Sequence, residues 1–192
     1  MPRSGSRPPD NIILVSSIEN VLSSDHRQLD ESMAQVFEAI CDGDAVLTFQ
    51  KLDLFWARLA MHIRAEHLHL FPALLALGPV ADKAPESLAE VLEGLRDDHN
   101  YFMKELANSI KLLRSLTAAV PPDPSADLRS IHQTMTDLQL RLGAHNEIEE
   151  NRIYALAGHV PEPADGPDLK ALINKELSNL PQRFGRGREH AG

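Results

Sequence analysis

His62-Ile63-Arg64-Ala65-Glu66 and His145-Asn146-Glu147-Ile148-Glu149 both read H-x-x-x-E, inside the stretches HIRAEHLHLFPAL (62–74) and HNEIEENRIYAL (145–156). On a helix that spacing stacks imidazole and carboxylate on one face, one turn apart. The apolar residues around each pair keep the same period: Leu52, Phe55, Leu59, Leu70 and Leu74 for the first, Leu138, Leu142, Ile153 and Leu156 for the second. Both pairs therefore fall on the inner stripe of a long amphipathic helix.

Working outward, two more stripes of this kind appear. Ile18, Leu22, Leu29, Met33, Phe37 and Ile40 predict a helix over 17–40, broken by Asp42-Gly43-Asp44. The helix carrying His62 is expected over 45–77, with Pro72 kinking its last turns and Gly78-Pro79 closing it. Leu88, Leu92, Leu95, Phe102, Leu106, Ile110 and Leu113 predict a third helix over 85–118, with Pro85 in its first turn. Pro121-Pro122-Asp123-Pro124 is a linker, and the helix carrying His145 follows over 125–157, with Leu128, Ile131 and Met135 on its stripe.

A proline-rich loop comes next, then a short helix over 168–180 with Leu169, Leu172, Ile173, Leu177 and Leu180 on one side. The expectation is an all-α fold, an up-down-up-down antiparallel four-helix bundle with a short C-terminal extra helix. Residues 1–16 read as a flexible arm, 17–158 as the bundle, and 159–192 as loop, short helix and a disordered RFGRGREHAG tail.

Composition agrees with this reading. The chain has 192 residues, 43% hydrophobic but only 5% aromatic, which suits one helical domain with a real core. A net charge of -9 argues against general affinity for nucleic acid or an anionic membrane. No apolar run reaches the ~20 residues of a membrane span, and MPRSGSRPPDN lacks a secretory core, so a cytoplasmic protein is expected. The single cysteine, Cys41, allows no internal disulfide and no thiolate cluster, and reads as a small, partly buried residue.

Each of the four long helices carries a histidine on its apolar stripe: His26, His62, His99 and His145. Imidazole is a poor core filler unless paired or ligated. In an antiparallel bundle, residues at one depth are placed symmetrically about the intervening loop. His26 and His62 centre on residue 44, His62 and His99 between residues 80 and 81, and His99 and His145 on residue 122. Each centre lies in or beside a predicted break, so the four histidines can meet at one level. Two glutamates at that level need a counter-charge, which a metal supplies. Imidazole with carboxylate suits iron, manganese or zinc, and four histidines with two carboxylates suit two ions sharing the carboxylates.

The order H, H-x-x-x-E, H, H-x-x-x-E over residues 18 to 158 resembles the hemerythrin-like HHE cation-binding domains. The resemblance implies a pair of non-haem iron ions with an oxo or hydroxo bridge, without excluding manganese or zinc. Glu66 and Glu149 would bridge them, His26 and His62 would hold one ion, and His99 and His145 the other. Oxygen carriers of this family have a further histidine four residues after the third-helix ligand, where this chain has Met103. The set is more similar to di-iron proteins of iron–sulfur repair and nitric oxide chemistry, although the paired N-terminal cysteines common there are absent from residues 1–16.

The expected function is binding or sensing of O2 or reactive oxygen and nitrogen species. The alternative is an enzyme that detoxifies peroxide or nitric oxide or repairs iron–sulfur clusters. Small ligands such as O2, NO and peroxide are the expected partners, together with an electron-donor protein. Among lesser residues, Glu150 is an alternative to Glu149. His69 is too far along its helix to share the centre, though it fits a supporting or access-channel position. Tyr154, about one turn past Glu150, reads as an ordinary core tyrosine, with a hydrogen bond near the site as the alternative, and His67 as solvated.

Overall fold

Local capping signals set where the helices begin. Ser17 Oγ accepts from the Asn20 N–H at 3.1 Å and opens α1 (Ile18–Cys41). Gly43, at φ +72, turns the chain. Asp44 Oδ1 then accepts from the Leu47 N–H at 2.8 Å and opens α2 (Ala45–Ala65). α2 runs without a break into a π-helical turn (Glu66–Leu70) and α3 (Phe71–Leu75). A reciprocal box starts α4 (Leu88–Ala119): the Ser87 N–H donates to Glu90 Oε2 at 2.9 Å, and the Glu90 N–H donates to Ser87 Oγ at 3.3 Å. α5 (Ser125–Ile148) continues through a second π-helical turn (Glu149–Ile153) into a 3-10 turn (Tyr154–His159). Asp168 caps α6 (Leu169–Leu177), its Oδ1 accepting from the Ala171 N–H at 2.6 Å.

This computed structural model describes residues 17–78, 87–119 and 123–182. Among them there is no strand, so the fold is all-helical. The expected N-terminal arm, the Pro79 and Pro85 signals, Pro121-Pro122 and the 183–192 tail lie outside the described residues.

The four long helices pack in a ring, α1 on α2, α2 on α4, α4 on α5 and α5 on α1. Pairing between α1 and α2 runs antiparallel. Lys51 donates to Gln35 at 2.9 Å, Arg58 donates to Gln28 at 2.6 Å, and His62 meets Asp25 at 2.9 Å. α6 lies along α2 and the first π-helical turn, buries Ile173, and ties Glu176 to Arg64 at 3.2 Å. Cys41, expected to be partly buried, is exposed at the end of α1, because its position falls off the stripe that Ile40 closes.

The core is divided. One cluster holds Leu29, Met33, Phe55, Leu59, Phe102, Leu138 and Leu142 among others. The second holds Leu22, Ala65, Leu70, Phe71, Leu95 and Ile153. α1, α2 and α4 each cross from one cluster to the other, α5 does so where it continues into its π-helical turn, and each carries a buried histidine near the crossing. No helix among the described residues is long and apolar enough to span a membrane.

Phe55 is fully buried and away from the histidine layer. Phe55→Ala should cost about 3–5 kcal/mol of folding stability by urea denaturation. Leu140→Ala, at a position 72% exposed, should stay within about 0.5 kcal/mol.

Candidate metal centre

The structure brings His26, His62, Glu66, His99, His145 and Glu149 together, all buried, between the two apolar clusters. The imidazoles meet in pairs through their Nε2 atoms. His26 Nε2 is 3.2 Å from His62 Nε2, and His99 Nε2 is 2.9 Å from His145 Nε2. Both carboxylates reach across the pairs. Glu149 Oε2 lies 3.3 Å from His26 Nε2, while its Oε1 lies 3.0 Å from His145 Nε2 and 3.7 Å from His99 Nε2. Glu66 Oε1 lies 3.5 Å from His62 Nε2, and its Oε2 lies 3.4 Å from His99 Nε2. Two sets of donors are close enough to hold an ion, His26 with His62 and Glu149, and His99 with His145 and Glu149, each with its atoms within 4.8 Å of one another.

The hydrogen-bond accounting is incomplete at this point. Glu66 Oε2 and Glu149 Oε1 are buried without a hydrogen-bond partner. The imidazole nitrogens near them sit at ion-pair distance, but none directs an N–H at them. Carboxylate oxygens left so in an apolar interior are costly. A cation would satisfy both oxygens at once, so the residues fit a metal.

Titration tells the same story. Burial opposes charge on His62, yet Glu66 and Asp25 outweigh it and hold the imidazole well above its ordinary range. Burial also opposes charge on His145, and Glu149 and Asp98 reverse it. Burial raises Glu66, as does the neighbouring Glu149 charge. Burial would raise Glu149 too, but the adjacent His145 and His26 imidazoles pull it well below the usual carboxylate range. His99 is driven down to about 2, chiefly by burial, and stays neutral. The buried carboxylates and their outer partners thus favour charge on His62 and His145.

The outward nitrogens are anchored as well. His62 Nδ1 donates to Asp25 Oδ2 at 2.9 Å, His26 Nδ1 to Glu150 Oε1 at 2.8 Å, and His145 Nδ1 to Asp98 Oδ2 at 3.2 Å. Arg141 in turn pins Asp98 at 2.7 Å. With each Nδ1 proton committed outward, Nε2 is the nitrogen that faces the centre, and in the neutral imidazole it carries the lone pair a ligand needs. His99 differs, because its Nδ1 meets His67 Nε2 at 2.8 Å, imidazole on imidazole.

Two residues depart from the sequence reading. His67 is not solvated but half-buried, between His99 and the Phe71 ring. Tyr154 is no ordinary core tyrosine, since its hydroxyl lies 2.9 Å from Glu66 Oε1 and 3.1 Å from Glu149 Oε2. On a regular helix Tyr154 would face about 180° away from His145, at about 100° per residue. The π-helical turn at Glu149–Ile153 holds an extra residue, and the ring swings inward. His67 sits in the matching turn at Glu66–Leu70. There Pro72, two residues on, cannot donate to Leu68, which favours a widened turn. No comparable marker precedes the second turn. His69 meets Glu176 of α6 at 3.9 Å, away from the centre. Glu150 backs His26 while Glu149 faces inward, so the neighbouring carboxylates divide the two tasks.

A family model for the hemerythrin HHE cation-binding domain matches residues 17–157. The chain belongs to this family. No curated protein and no solved structure gives a significant match. For a member of the HHE family, the fully buried Glu66 and Glu149 between paired imidazoles are the candidate cation site.

Asp98 touches the centre only through His145. Asp98→Ala should lower metal affinity about 10- to 100-fold in chelator competition, with the helical far-UV signal unchanged. Equal affinity in the variant would remove Asp98 from the support of the site.

Proposed function

We propose that the chain is a non-haem di-iron protein that binds or senses O2 or reactive oxygen and nitrogen species. In this reading His26 and His62 would hold one ion, His99 and His145 would hold the other, Glu66 and Glu149 would span both, and an oxo or hydroxo group would complete the bridge. The single observation that carries it is the reach of the two carboxylates. Each is fully buried, each spans both histidine pairs, and each keeps one oxygen without a hydrogen-bond donor. One ion would leave half of that donor set unused.

The host is residues 17–158 as an up-down-up-down four-helix bundle. The antiparallel α1–α2 contacts and the ring of helix contacts support that topology. A bound iron pair supplies a redox change shared between two metals to a small ligand. The chain's own contribution is positional. Asp25, Glu150 and Asp98 hold three imidazoles in register through Nδ1, and the two apolar clusters keep bulk water and larger molecules away. Met103, packed against the larger cluster, offers no imidazole one turn past His99. That argues for sensing or chemistry over plain oxygen carriage. O2, NO and peroxide are the ligands of fitting size, and redox cycling calls for an electron-donor protein.

Metal analysis of the purified protein should find two irons per chain, and the oxidised form should absorb in the near ultraviolet. His62→Ala should lower iron content and melting temperature together. A metal present at 100 times its Kd contributes about 2.7 kcal/mol to folding. A metal-free protein whose stability ignores His62→Ala would overturn the proposal.

A further inference from the structure

Tyr154 is almost completely buried, at 1% exposure, and its hydroxyl oxygen sits among the donor atoms rather than behind them. It lies 2.9 Å from His26 Nε2, 3.4 Å from His62 Nε2, 2.9 Å from Glu66 Oε1 and 3.1 Å from Glu149 Oε2. One O–H proton can serve only one of these contacts at a time. The spacing has a simpler explanation. Donors about 2.1 Å from a shared ion stand about 3 Å apart at adjacent corners of its coordination shell. The other edges of this group have similar lengths: 3.2 Å from His26 to His62, 3.3 Å from His26 to Glu149, and 3.5 Å from His62 to Glu66.

We infer that Tyr154 is a further protein ligand, binding the ion of the His26–His62 side through its phenol oxygen. This rests on the di-iron reading above. Coordination replaces the phenol O–H bond with an O–metal bond, and the proton is released to solvent. All four contacts of the hydroxyl fall on the His26–His62 side. That side then has five protein donors (His26, His62, Glu66, Glu149, Tyr154), against four on the other (His99, His145, Glu66, Glu149). The less crowded His99–His145 side is therefore where a small exogenous ligand enters.

The test uses the full chain, loaded with iron and oxidised. Phenolate bound to ferric iron gives a charge-transfer band in the visible, and excitation in that band enhances tyrosine ring vibrations in the resonance Raman spectrum. Wild type should show both. Tyr154→Phe should lose both while keeping two irons per chain and the near-ultraviolet absorption. Wild type with two irons and no enhanced ring vibrations would overturn the assignment and leave the di-iron reading standing. Enhanced vibrations that persist in Tyr154→Phe would also overturn it. If Tyr154→Phe fails to retain iron, the wild-type ring vibrations decide alone. Wild type that takes up no iron pair would overturn the di-iron reading itself, and the ligand assignment with it.

Discussion

Two carboxylates with no solvent exposure sit at the middle of an apolar helix assembly, and the rest of the structure is arranged around that burden. Removing such a charge from water costs several kcal/mol even after relaxation. Glu66 and Glu149 are each 0% exposed and both within reach of the His99 imidazole, so the cost cannot be dispersed to the surface. Opposite charge has to come to them. Without an ion, raised imidazoles at His62 and His145 supply it in part, and two oxygens still go without a donor.

The fold keeps this polar layer in place by bracketing it. Leu22 and Leu29 flank His26 on α1, and Leu95 and Phe102 flank His99 on α4. Sliding any one helix along its axis would carry an imidazole into one apolar cluster and an aliphatic side chain into the carboxylates. The polar layer therefore sets helix register, while the apolar clusters provide the bulk of the hydrophobic stabilisation. α6 adds a cover outside the ring. Through Glu176 it grips Arg64, just before the turn that begins at Glu66, and approaches His69 within that turn.

The helices and the inner histidines were legible because they obey one period. His26, His62, His99 and His145 each fall on a stripe of aliphatic residues, and the loops lie midway between them, so helix type and common depth could both be read. The i+4 glutamates could be read for the same reason. What could not be read breaks that period. Tyr154 and His67 come after ligand-bearing faces, at positions a regular helix would turn away, and each is delivered by a π-helical turn. Pro72 hinted at irregularity in the first case, and nothing flagged the second. Asp25 and Asp98 stand immediately before His26 and His99 in the chain, yet each serves a histidine of the neighbouring helix, His62 and His145. A single-helix pattern carries no information about that crossing.

The widened turn between Glu149 and Tyr154 has an evolutionary side. Aiming the tyrosine depends on how many residues separate it from the glutamate and on the width of the turn, because the wider turn takes up the rotation of one added residue. Exchanging side chains within the segment leaves that count alone. Loss of a single codon there would let an ordinary helix form and, at about 100° per residue, keep the ring facing inward, whereas closing the turn at unchanged length would send it to the periphery. The widened turn is thus how this chain accommodates one residue more than an ordinary helix with an inward phenol would hold.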